Sequence, residues 1–169
     1  MKIQITFPDG RVADYEKGAT PMQIATSISE GLARFVLAAK VNGEIVDASR
    51  PIDVNATLQL LTWNDKEGKS TFWHSSAHLM AEALESLYPN IKFGIGPPIE
   101  AGFYYDIDSG DRTLSPDDLV EIEKKMSELA KQNNNYERSA VSKAEALKYF
   151  TNKNDEYKLE LIRELEDGK

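Results

Sequence analysis

Cysteine is absent from the 169 residues, which excludes disulfides and thiolate chemistry within this chain. Long apolar runs are absent too, and none approaches the ~20 residues that a bilayer-spanning helix needs. Met1-Lys2-Ile3-Gln4 passes directly into a strand-like alternation. No secretory leader is read there, so the expected location is the cytoplasm, with no membrane partner. A positive balance is lacking as well. The net charge of −8 argues against a protein that coats nucleic acid through bulk charge, and leaves room for a local RNA-facing patch. Histidine is scarce, with two residues, and the chain has no internal repeat or low-complexity tract.

What remains is an ordinary globular composition, 41% hydrophobic and 28% charged, enough for one domain or two small ones. The charge is unevenly spread. Residues 1–62 carry 6 Lys+Arg against 7 Asp+Glu, and the remainder carries 14 against 21. The join near Thr62 is therefore a change of character, and the expected division is 1–62 and 63–169.

The first part reads as short strands around one helix. Residues 2–7 alternate polar and apolar, Pro8-Asp9-Gly10 is a turn, and Arg11 to Glu16 alternates again, which predicts a hairpin. Thr20-Pro21 opens a helix with Met22, Ile24, Ala25 and Ile28 on its apolar face, and Gly31 is expected to stop it. Phe35 to Val41 reads as a buried strand, Asn42-Gly43 as a tight turn, Glu44 to Val46 as the return, and Leu58 to Leu61 as the closing strand. A helix laid across a mixed sheet in that order is the β-grasp arrangement that ubiquitin has.

The second part opens with a polar stretch, Asn64 to Ser70, in which Asn64 or Asp65 is the expected cap. It runs into a helix that ends before Pro89. Phe103 to Ile107 reads as an aromatic strand, and Ser115-Pro116-Asp117-Asp118 opens a helix with a stripe of Leu119, Ile122, Met126 and Leu129. Asn133 to Asn135 ends it. A short strand over Tyr136 to Val141, a helix from Ser142 to Phe150, and a weak acidic helix from Asp155 to Asp167 complete the α+β reading.

Both histidines lie in the helix before Pro89, in His74-Ser75-Ser76-Ala77-His78. Positions i and i+4 are helical neighbours, with Cβ atoms roughly 5–6 Å apart. On a wheel of ~100° per residue, His78 falls about 40° from His74 and Glu85 about 20°, away from the apolar arc of Trp73, Ala77, Met80, Leu84 and Leu87. Phe72, Leu79 and Ala83 lie on the far side, and small Ala77 and Ala81 leave a shallow space beside the rings. Three readings of the pair stand. In one they are satisfied polar groups at a helix edge; in another they hold a metal with Glu85, although Ser75 occupies the position where the metallopeptidase pattern needs Glu; in the third they position a water without metal. The stretch Gly94 to Pro98 lacks the Lys of a phosphate loop and reads as a turn between strands. Of Tyr104 and Tyr105, one is expected to face the core and the other the surface, where it could stack on a base. Lys158, between Tyr157 and Leu159, reads by default as a solvated charge.

Taken together, these residues resemble a known family. Phe7-Pro8-Asp9-Gly10, Pro21-Met22, Val41-Asn42-Gly43-Glu44 and Val46-Asp47 look like a TGS domain, the β-grasp module shared by threonyl-tRNA synthetases, some GTPases and stringent-response enzymes. His74-Ser-Ser-Ala-His78, Ile95-Gly96-Pro97 and Gly102-Phe103-Tyr104-Tyr105-Asp106 follow. This order and spacing resembles the N-terminal region of bacterial threonyl-tRNA synthetases, and the likeness covers essentially the whole chain.

The resemblance implies a β-grasp domain at 1–62 followed by part of an α+β editing domain at 63–169. It implies tRNA binding and hydrolysis of serine mischarged onto threonine tRNA. Serine is threonine without a methyl group, and one methyl allows only roughly 10–200-fold discrimination in a binding pocket. His74 and His78 match the family's paired histidines, which bind the terminal adenosine end and position a hydrolytic water without zinc. Tyr105 matches a position near that adenosine, and Lys158 a lysine of the editing pocket. No metal or cofactor is expected in this chain; ATP, magnesium and zinc belong to the ligase core of the parent. The family's Cys-x-x-x-His segment is missing here, so the expectation is a fragment weak or inactive alone as a hydrolase; the core through which the family dimer forms is missing too, so a monomer is expected from a homodimeric parent. Partners implied are threonine tRNA and the remainder of the parent. A stand-alone TGS module that binds RNA or a partner without catalysis, and a zinc protein using His74, His78 and Glu85, are the rival readings.

Overall fold

The computed structural model describes residues 1–134, 137 and 139–166. Its contacts divide the chain into two compact units, residues 1–74 with 98–100, and residues 75–97 with 101–169.

In the first unit, strands β1 (Lys2–Thr6) and β2 (Val12–Glu16) form the expected antiparallel hairpin. Ile3 and Ile5 are buried while Lys2 and Gln4 are exposed, the period of a strand with one wet face. Helix α1 (Pro21–Ile28) starts with a reciprocal cap. The Gln23 amide donates to Thr20 Oγ1 at 3.2 Å, and the Thr20 amide donates to Gln23 Oε1 at 3.0 Å. Ser29, not Gly31, ends this helix. Ser29 is extended, and its hydroxyl accepts from the amides of Gly31 and Leu32, so Gly31 lies inside a further short helix, α2 (Glu30–Ala33).

Strand β3 (Ala38–Val41) is shorter than the expected Phe35 to Val41. The amides of Phe35 and Val36 are taken by turn bonds to Leu32 and Ala33, and Phe35 is 68% exposed. Asn42 and Gly43 both have positive φ, 50° and 88°, as a two-residue hairpin turn into β4 (Glu44–Val46) requires. Strand β5 (Ala56–Leu61) sits at the sheet centre, in the order β2-β1-β5-β3-β4, parallel to β1 and antiparallel to β3. Ile24 of α1 packs with Ile3, Ile5, Ala39, Ile52 and Leu58 into one core. This is the β-grasp architecture within an α+β chain.

Helix α3 (Lys66–Leu87) begins four residues after the sheet ends. Asp65 directly precedes it, and its carbonyl accepts from the Lys69 amide. Its carboxylate turns back to the Thr62 amide at 2.7 Å instead of capping the helix forward.

The second unit has much shorter strands. β6 (Lys92–Phe93) pairs antiparallel with β9 (Ile107–Asp108); β7 (Pro98–Ile99), whose residues group with the first unit, and β8 (Gly102–Phe103) lie between them in sequence. The strand expected over Phe103 to Ile107 is thus broken. Tyr104 to Asp106 have no strand assignment, and Asp106 alone bonds the facing segment, accepting from Gly94 N at 2.8 Å and donating to Ile95 O at 3.1 Å. Gly94 to Pro98 is therefore not simply a turn between strands: its first two residues extend the β6–β9 pairing.

Helix α4 (Pro116–Gln132) is capped by Ser115, whose partner is the Asp118 carboxylate. Ile122 is buried, with Met126 and Leu129 packed against the same cluster as Ala83, Leu84 and Ile91. Leu119 is 55% exposed and leaves the expected stripe, because the packed face centres between Asp118 and Met126 and puts Leu119 at its edge. Asn133, in the left-handed region at φ 51°, closes the helix. Of the strand expected over Tyr136 to Val141, residues 136 and 138 lie outside the described residues, and Glu137, Ser139, Ala140 and Val141 form no strand. Helices α5 (Lys143–Asn152), capped by Ser142, and α6 (Glu156–Glu164), capped by Asp155, follow; Asp167 lies outside the described residues.

Candidate functional site

The middle of α3 separates its faces by residue size and polarity. Ala77, Ala83 and Leu84 are 1%, 0% and 2% exposed, whereas His74, His78, Glu82 and Glu85 are exposed. The buried arc reaches Ala83, which the sequence pattern put on the far side, and so runs wider than a single stripe. The histidines share the opposite face, one turn apart.

A cleft of about 490 Å³ opens beside this face within the second unit. Its lining draws on distant stretches of sequence: His78, Ala81 and Glu85 of α3, Phe93 of β6, Tyr105, and Lys153, Asp155 and Lys158 of the α5–α6 turn and α6. Three of the four sequence-derived site residues, His78, Tyr105 and Lys158, thus meet around one opening. His74 is not among its lining residues and belongs to the first compact unit.

Lys158 is half-buried and held at both ends. Its amide donates to Asp155 Oδ1 at 3.1 Å as part of the α6 cap, and its Nζ donates to the Gly94 carbonyl oxygen at 3.2 Å. It is therefore not the freely solvated charge of the default reading. One of its three N–H donors is committed to Gly94. Tyr105 is half-buried and meets Phe93 edge to face at 5.5 Å and 72°. Burial, and then the Asp155 carboxylate, push its phenol above the usual range, so it stays protonated as a hydrogen-bonding group. Tyr104, by contrast, is 50% exposed. The tyrosines do divide between inside and outside, without a regular strand to do it.

Glu85, the third ligand of the metal reading, faces Lys153 Nζ at 3.5 Å in a solvent-exposed pair that contributes little to stability. Among the described residues, no three of His, Cys, Asp and Glu gather into a group that could hold a metal ion. The sequence reading missed Gly94 and Asp155. The first works through its backbone carbonyl, which carries no side-chain signal. The second was read only as the start of an acidic helix, not as a neighbour of Tyr105.

Around the α4 cap, a second polar cluster has a structural role. Asp118 Oδ1 accepts from the Tyr88 hydroxyl at 2.9 Å and from Arg112, whose guanidinium stands 4.4 Å from the Tyr88 ring centroid. The Ser115 hydroxyl and amide, then Arg112 and Tyr88, hold the Asp118 carboxyl well below the usual carboxylate range.

Residues 3–62 match the TGS domain family. Over 166 residues, 98% of its length, the chain is 68% identical to a threonine–tRNA ligase of Cytophaga hutchinsonii and 59% identical to one of Parabacteroides distasonis. A threonine–tRNA ligase of Bacteroides thetaiotaomicron is 54% identical over the same length. The chain spans about a quarter, 26%, of the length of these relatives. Among the described residues no helix is long and apolar enough to cross a membrane.

Proposed function

We infer that this chain, which is the TGS-bearing N-terminal region of a threonyl-tRNA synthetase, contributes tRNA binding and the hydrolytic removal of serine from threonine tRNA. The observation that carries the reading is the convergence of His78, Tyr105 and Lys158 on one cleft from three separate stretches of the chain.

The chemistry asked of the cleft is ester hydrolysis. Water attacks the seryl carbonyl carbon, the bond to the ribose oxygen breaks, and the proton taken from water passes to that oxygen. The products are serine and uncharged tRNA. An imidazole at His78 can take and return the proton. The Lys158 ammonium, anchored on a backbone carbonyl, can donate to the oxygen that becomes negative in the transition state. Tyr105 offers a ring and a protonated hydroxyl to the terminal adenosine. His74, one turn before His78, is assigned to holding the same tRNA end. The physical need is discrimination by size, since a pocket that accepts threonine cannot strongly reject the smaller serine.

In this reading the TGS domain is an RNA- or partner-contacting module. Threonine attachment with ATP, magnesium and zinc, and assembly into a homodimer, belong to the larger remainder of the relatives' length. The site then works in the cytoplasm, where threonine tRNA is charged.

The test is release of serine from seryl-tRNA(Thr) by a protein of the relatives' full length carrying this sequence. His78→Ala is expected to slow release by roughly 10²–10⁴-fold while threonine activation persists. An unchanged rate withdraws the editing role and leaves a TGS module that binds RNA without hydrolysis.

A further inference from the structure

We propose that Gly96 is the positioning residue for Tyr105: its missing side chain leaves the space in which the tyrosine ring lies at the cleft. A Cβ built on Gly96 would stand 2.5 Å from Tyr105 Cδ2, 2.6 Å from Cε2 and 2.8 Å from Cγ. Non-bonded carbons approach to about 3.5–4.0 Å at their best separation, so any other residue must displace the ring. The ring cannot yield cheaply. The clash includes Cγ, beside the backbone, and Phe93 packs against the same ring at 5.5 Å. Nor can the Gly96 backbone retreat freely, because Gly94 and Ile95, just before it, are bonded to Asp106, just after Tyr105.

Gly94 is the useful contrast. A Cβ there would lie 3.2 Å from the Asp106 Cβ, a tight contact but not a forbidden one. Its part is the carbonyl that receives Lys158, which substitution leaves in place. One short stretch thus serves two site residues by different means, through a carbonyl at Gly94 and through an absence at Gly96.

The inference rests on the editing reading only for the ligand; the seating of the ring stands apart from it. The experiment uses the chain as it is, with Gly96→Ala, Tyr105→Ala and the double variant. Seating is read by the NMR contact between the Tyr105 and Phe93 rings and by titration of the Tyr105 phenol. Binding is read with adenosine as the probe. Gly96→Ala is expected to abolish the ring contact, to bring the phenol back toward its ordinary range as it meets water, and to weaken adenosine at least tenfold. Should Gly96→Ala fail to fold, the double variant decides. With the tyrosine ring removed it is expected to fold as well as Tyr105→Ala alone.

Retention of the Tyr105–Phe93 contact in Gly96→Ala, or a double variant no better folded than Gly96→Ala, overturns the proposal. Equal adenosine binding by the parent chain and Tyr105→Ala would instead remove the ligand assignment, and the ring contact and the rescue would still decide the role of Gly96.

Discussion

The two compact units are built on different principles. In the first, Ile3, Ile5, Ile24, Ala39, Leu58 and their buried neighbours come from three strands, a helix and the loops beside them and interlock in one apolar core. In the second, the buried cluster is Ala83, Leu84, Ile91 and Ile122, its strands are two residues long, and its helices start on charged or hydroxyl caps. The polar groups of the candidate site gather in the second. The first unit also half-buries a lysine, but Lys40 is spent in an ion pair with Glu67, whereas Lys158 and Tyr105 of the second unit line a cleft.

After the loss expected for His78→Ala, the next largest effect sharpens the chemical side of that comparison. In the full-length protein, Lys158→Ala should slow seryl-tRNA hydrolysis about 10²–10³-fold, the size of losing one oxyanion donor, measured by single-turnover release. The β-grasp substitution Ile45→Ala, at an exposed position, should leave the rate unchanged.

Next come the cores. Leu58→Ala and Leu84→Ala remove side chains that are 1% and 2% exposed. Both should fall within about 2–5 kcal/mol, and the cost depends on how well the site collapses around the gap. Leu58 is hemmed in by strands and belongs at the upper end. Leu84 is bordered by half-buried Met80, Leu87 and Met126, which can close in, and belongs at the lower end. Urea unfolding of the two variants checks the order; the reverse order would break the contrast between the units.

A third substitution tests a join within the first unit. A Cβ on Gly68 would stand 2.0 Å from the Thr62 carbonyl oxygen. Although alanine is the better helix former by about 1 kcal/mol, the clash with backbone should dominate and leave Gly68→Ala destabilised by about 1–3 kcal/mol, measured by thermal unfolding.

The smallest effects concern the α4 cap. Ser115→Ala should cost about 1 kcal/mol. The pH dependence has a definite sign. Asp118 is depressed in the folded state, so its contribution is present above the ordinary carboxylate value of about 3.9 and is lost as pH falls through the lowered one. Stability of the α4 region should fall in acid, and Asp118→Asn should flatten that part of the profile, as read from urea midpoints against pH.

Much of this was legible in the residues. Alternation at Ile3 and Ile5, the Asn42-Gly43 turn, and the Thr20-Pro21 and Ser115-Pro116 starts are local signals with local causes, and the structure follows them. The errors arose where partners distant in sequence decide. Phe35 is excluded from β3 because its amide is already used in a turn. Phe103 to Ile107 is broken although its composition is β-prone, because its two ends pair with different strands, Phe103 in β8 and Ile107 in β9, and no strand assignment joins them. Leu119 is stranded by the angle at which α4 packs. At the site, the side chains His78, Tyr105 and Lys158 were visible as letters, while their common cleft was not. The carbonyl of Gly94 and the empty space at Gly96 carry no letter-level signature at all. The two histidines were read as one unit, and the cleft takes only His78 into its lining.

The most direct measurement is a double-mutant cycle on seryl-tRNA(Thr) hydrolysis in the full-length protein, with His78→Ala, Lys158→Ala and both together. If the two groups act on one ester in one cleft, the double variant should be scarcely slower than the worse single one, as for residues that work as a unit. Losses that multiply, or two single variants that hydrolyse at the parent rate, would contradict the account.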